Sequence, residues 1–124
     1  MDLTALNLEL YNNRKAYHEI IEQKFTVAFP NWMEKIKRFK LTQTEITCFE
    51  TLIRTVWEKE HIIPFAISEF QEGGIWMDWY DGPSTIIQGD VLSSFHKGEE
   101  DQFHLPLEID DFIRYLKLHT SLLH

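Results

Sequence analysis

The chain has 124 residues, 44% of them hydrophobic and 26% charged, the make-up of an ordinary globular domain large enough to bury its own core. Its net charge of −8 disfavours nucleic acid and anionic membrane as partners. The longest apolar run, residues 62–67, contains Pro64 and is too short to span a bilayer. One cysteine, Cys48, permits no internal disulfide and fits a reducing compartment. The residues behind Met1 show no basic stretch leading into an apolar one, so the expectation is a single cytoplasmic domain over 1–124.

From the N-terminus, Leu3, Leu6, Leu10, Tyr17, Ile20, Ile21, Phe25 and Ala28 recur at three- and four-residue steps, predicting a helix over about 3–29. Asp2 or Thr4 would cap it, Asn12-Asn13 would be its weak point, and Pro30 would end it. A second short helix, about 31–39, would start at Asn31 and turn Trp32, Ile36 and Phe39 inward. Its outer side holds Lys35, Lys37, Arg38 and Lys40, best read as a solvated face. The third helix, about 42–60, has the clearest local signal in the chain. Thr42-x-x-Glu45 is a capping box, with Leu41 and Ile46 placed as a hydrophobic staple. Behind it Ile46, Phe49, Leu52, Ile53, Val56 and Trp57 form one broad apolar stripe.

The period then changes from 3.6 to 2. Strands are expected over about 62–71, 75–80, 85–88 and 91–95, separated by turns at Glu72-Gly73-Gly74, Asp81-Gly82-Pro83-Ser84 and Gly89-Asp90. Residues 96–104 (HKGEEDQFH) read as a polar loop. A last helix, about 107–122, has Ile109, Phe112, Ile113 and Leu116 inside, with Glu108, Asp110 and Asp111 in its first turn, where the helix dipole favours acids. The predicted class is α+β: three N-terminal helices, an antiparallel meander of three to four strands and one C-terminal helix, with the helices on one face of the sheet.

Familiar catalytic patterns are missing. The sequence has no phosphate-binding glycine loop, no His-Glu-x-x-His, no Gly-x-Ser-x-Gly and no Cys-x-x-Cys. Cys48 flanks the core stripe and reads as an inert filler. His96 and His104, with Glu99, Glu100 and Asp101 between them, offer nitrogen and oxygen donors, but their spacing matches no standard metal site. Neither metal nor cofactor is expected. Asp78, Asp81 and Asp90 fall on or beside strands, and two of them converging would favour a hydrolytic or small-ligand pocket near Asp78. Turn geometry suffices to explain Asp81 and Asp90.

Charge and aromatic placement carry the functional expectation. Residues 1–61 hold nine Lys/Arg and nine Asp/Glu, whereas residues 62–124 hold three against eleven, so the second half carries the imbalance. In the strand at 75–80, Ile75, Met77 and Trp79 share one face and Trp76, Asp78 and Tyr80 the other. A register error of one residue would exchange Trp76 for Trp79. If the first set packs on the helices, Trp76, Asp78 and Tyr80 make a partner-binding row of aromatic anchors around an acid. Glu99, Glu100 and Asp101 would then supply steering charge. In size, charge, aromatic content and lack of catalytic motifs the chain resembles bacterial immunity proteins, a likeness of physical type that no shared motif carries. It implies a non-catalytic inhibitor, monomeric or homodimeric, docking on a basic protein such as a toxin or nuclease of a toxin–antitoxin pair. The competing expectations are a small-ligand-binding or hydrolytic enzyme domain with a pocket near Asp78, and a permanent subunit of a larger assembly.

Overall fold

The computed structural model describes residues 14–79 and 82–120, and the side chains of these except residues 14–23 and Phe65. The helix and caps expected before residue 14, including the Asn12-Asn13 point, and the last turn at 121–122 lie outside the described residues. What is described is α+β: three helices and one five-stranded antiparallel sheet. Among the described residues no helix is long and apolar enough to cross a membrane.

Helix α1 runs Arg14–Ile36 without interruption and carries Pro30 inside it, which corrects the expected break into two helices. An internal proline removes one hydrogen bond and costs about 3 kcal/mol. Packing offsets that cost: Phe25, Phe29, Trp32, Met33 and Ile36, spaced at three and four residues on both sides of Pro30, all sit on the core. The helix stops instead at 37–39, where Arg38 and Phe39 N–H groups close back on Lys35 and Ile36 carbonyls.

Helix α2, Gln43–Glu60, begins as its capping box predicts. The Glu45 N–H donates to Thr42 Oγ1 at 3.2 Å, and the Thr42 N–H donates to Glu45 Oε1 at 2.8 Å. Glu45 is only 6% exposed, and its second oxygen is also engaged, Oε2 accepting from the Gly89 N–H at 3.1 Å. Phe49, Leu52, Ile53 and Val56 are buried along the inner side. Phe25 of α1 stacks flat on Trp57, ring centroids 4.6 Å apart, and Arg54 lies 4.9 Å above the Phe29 ring, so aromatic contact joins the two helices.

The sheet is a simple meander of β1 (Pro64–Glu69), β2 (Ile75–Trp79), β3 (Ser84–Gln88), β4 (Val91–His96) and β5 (Glu99–His104) in that spatial order. The expected loop at 96–104 is therefore a fifth strand, joined to β4 by a two-residue turn. Lys97 and Gly98 both have positive φ, +50° and +83°, which suits the right-handed twist of a hairpin. At Gly74 (φ +122°) an added Cβ would stand 2.2 Å from the Ile87 carbonyl oxygen, so β2 and β3 can meet here only if no side chain intervenes. Helix α3, Ile109–His119, packs Phe112, Ile113, Tyr115 and Leu116 on the same face of the sheet as α2. Ion pairs Lys59–Asp110 and Lys117–Glu60 join it to the end of α2.

Glu45 thus couples a helix start to the β3–β4 turn, and its removal should exceed the cost of an ordinary cap. Thr42→Ala is expected to cost about 1 kcal/mol. Glu45→Ala, which strands both the Thr42 and Gly89 N–H groups, should cost about 2–3 kcal/mol. Both should appear as lower urea midpoints at unchanged slope. Equal losses would mean that the bond to Gly89 contributes nothing.

Candidate functional site on the outer sheet face

Register fixes which side chains share a face. Ile75, Met77 and Trp79 of β2 are buried against the helices, and the Trp79 indole donates to Thr85 Oγ1 at 3.1 Å beneath the sheet. Trp76 and Asp78 point the other way. Two cross-strand rows make up this outer face: Ser68–Trp76–Ile86–Ser93–Gln102 and Ala66–Asp78–Ser84–Phe95–Glu100. The three described helices pack on the opposite side. Tyr80, expected to continue the row, lies outside the described residues, as does Asp81.

Trp76 and Asp78 are half-buried and bonded to each other. The Trp76 indole donates to Asp78 Oδ1 at 2.9 Å, and the Ser84 hydroxyl donates to the same oxygen at 2.7 Å. Phe70 leans on the Trp76 ring at 5.9 Å, and Ile86, the next residue across, is 6% exposed. This centre of the face is a packed apolar patch with one carboxylate held in fixed orientation by two neutral donors. Exposure rises towards β4 and β5. Phe95 is 38% exposed and stands between Ser84 and Glu100 in the same row as Asp78. Sequence reasoning passed over Phe95. Its signal was its place in phase with Asp78, which becomes visible only once the β4–β5 hairpin is recognised.

The three proposed steering acids divide between faces. Glu100 shares the outer face with Phe95, whereas Glu99 and Asp101 lie on the helix side, near the exposed flank of α3. All three are exposed, and no Lys, Arg or His of the described residues forms an ion pair with them. By contrast the expected basic face of 35–40 is partly used up: Lys35 donates to the Ile67 carbonyl at 2.8 Å and Lys37 pairs with Glu34 at 3.0 Å.

His96 and His104 do not meet. They sit at opposite ends of the β4–β5 ladder and on opposite faces, about 17 Å apart along the strands. His96 packs at a tilt against His119, centroids 4.6 Å apart, while His104 Nδ1 lies 3.7 Å from Glu108. No group of three or more His, Cys, Asp or Glu among the described residues is arranged to hold a metal ion. An apolar recess of about 50 Å³ lined by Cys48, Leu52, Leu105 and Ile109 is small beside the roughly 300–1,000 Å³ of a ligand pocket, and Asp78 lies outside it.

Two buried groups titrate late. Burial pushes the Cys48 thiol above its ordinary 9.0, with Asp90 and then Glu45 adding to the rise. Burial likewise pushes the Tyr115 phenol above 10.0; the neighbouring Ser94 hydroxyl opposes the rise, and Asp101 and Glu99 add to it. Ser94 Oγ and Tyr115 Oη are close, but neither makes a well-aligned hydrogen bond. Because both groups ionise less readily folded than unfolded, their contribution to stability is complete below about pH 9 and falls away as pH climbs through the folded values. Urea midpoints should therefore be insensitive to these groups from pH 7 to 9 and decline above it. Cys48→Ala and Tyr115→Phe together should flatten that decline, and an identical alkaline limb in the double variant would contradict the assignment. Comparison with family models, with curated proteins and with solved structures finds no match to the chain.

Proposed function

We propose that this is a non-catalytic acidic binding protein that docks on a basic protein, most concretely an inhibitor of immunity type that neutralises a cationic toxin or nuclease in the cytoplasm. The supporting observation is the outer-face row Asp78–Ser84–Phe95–Glu100 beside Trp76: an immobilised carboxylate, an exposed aromatic ring and an exposed acid across adjacent strands. Asp78 Oδ1 is held by its neighbours, which fixes where Oδ2 sits without conformational cost on binding. No cation of the described residues pairs with Glu99, Glu100 or Asp101 at the tip of the next hairpin, where they strengthen the field felt by an approaching cation. A nuclease site built for phosphate presents the complementary charge.

The reading is tested on cationic nuclease and toxin domains by measuring association at several salt concentrations. Phe95→Ala and Trp76→Ala should each weaken binding by about 2 kcal/mol or more, mainly through faster dissociation. The Glu99/Glu100/Asp101 triple alanine variant should associate more slowly and with a flatter salt dependence. Unchanged affinity and unchanged salt dependence in all three variants would end the proposal.

A further inference from the structure

The two edges of the sheet are not alike. At β1 the chain obstructs its own edge: Lys35 from α1 donates to the Ile67 carbonyl, the Lys40 N–H donates to the Glu69 carboxylate, the ladder is irregular between Pro64 and Ala66, and Pro64 has no N–H to offer. At the opposite margin no strand of the described residues lies beyond β5. Backbone direction along β5 follows from its ends. The two-residue turn makes His96 and Glu99 the hydrogen-bonded pair, and the Leu105 N–H donates to the Asp90 carbonyl at 2.7 Å, so odd-numbered residues face β4. His104 faces away, donating to the Glu108 carboxylate and accepting the Glu108 N–H at 2.9 Å. By the same alternation the N–H and C=O of Glu100 and of Gln102 point to the free edge. No described residue hydrogen-bonds to these four backbone groups, and both residues are exposed.

We infer that the Glu99–His104 edge accepts an extended, basic segment of a partner protein as a sixth strand. This deepens the proposal that the protein binds a basic partner and rests on it. Backbone groups would supply the bonding and the acids the choice of occupant. An incoming strand sends side chains alternately to both faces, where it meets Glu99 and Asp101 on one side and Glu100 on the other. Lysine or arginine on either face of it is matched. A second copy of this chain is not the occupant, because two β5 edges laid together bring Glu and Asp against Glu and Asp, and like charges directly opposite destabilise a pairing.

The probe is a synthetic octapeptide alternating lysine with threonine, capped at both ends, titrated into the full chain at low salt and followed by backbone amide NMR. A matched peptide with its central amides N-methylated keeps the charge and loses the donors. The plain peptide should bind, shift the Glu100 and Gln102 amides and slow their hydrogen exchange. N-methylation should weaken it at least about tenfold. Gln102→Pro, tolerable on a free edge, should do the same. Equal binding of both peptides, abolished in the Glu99/Glu100/Asp101 alanine variant, would overturn strand addition and leave docking by charge standing. No binding of the plain peptide would overturn the inference outright. A dimer of the unmodified chain that Gln102→Pro dissolves would assign the edge to a second copy and overturn the choice of occupant.

Discussion

One buried carboxylate holds helix and sheet in register. Glu45 takes the Thr42 N–H and hydroxyl on one oxygen and the Gly89 N–H on the other. A carboxylate so little exposed is costly unless hydrogen-bonded, and three donors from two separate parts of the chain meet that requirement. Because Gly89 lies in the β3–β4 turn, the bond sets how far α2 slides along the sheet. It also places Phe49 and Leu52 among the inner-face residues. The remaining strands follow from that placement, since each is joined to the next by a tight turn and cannot shift without moving every side chain to the wrong face.

The two faces of the sheet solve different problems. The inner one is apolar at its centre and continuous there with the helices, with Thr85 spent on the Trp79 indole. The outer one grades from the packed Trp76–Ile86 centre to exposed Phe95 and Glu100. Aromatic bulk and exposed acid therefore meet at the β4–β5 side, with Lys97 in its turn, away from the α1 side where Lys35, Lys37 and Lys40 lie.

Much of the fold was legible because its signals are local. The Thr42-x-x-Glu45 box and the stripe behind it mark α2, and alternation at 75–79 assigns Trp76 and Trp79 to opposite faces. Two features were not. Pro30 reads as a helix stop, and only the apolar positions on both sides of it, buried on the same core, explain why α1 continues. The β5 strand shows almost no alternation, because an edge strand exposed on most of its surface buries only Phe103 to any degree; a period-2 signal needs a buried face to produce it. Missing that strand also hid the division of Glu99, Glu100 and Asp101 between faces, and the role of Phe95. No local pattern announces the Glu45–Gly89 bond, which joins residues far apart in the chain.

The Lys35 contact on the Ile67 carbonyl has a consequence for how copies of the molecule can aggregate. Head-to-tail growth of a filament needs a vacant donor edge and a vacant acceptor edge on every unit. Here one margin is obstructed by a lysine from α1, which takes up a carbonyl that an added strand would need, and strand-by-strand propagation is disfavoured there. Of the sheet's two margins, the β5 side is the readier socket.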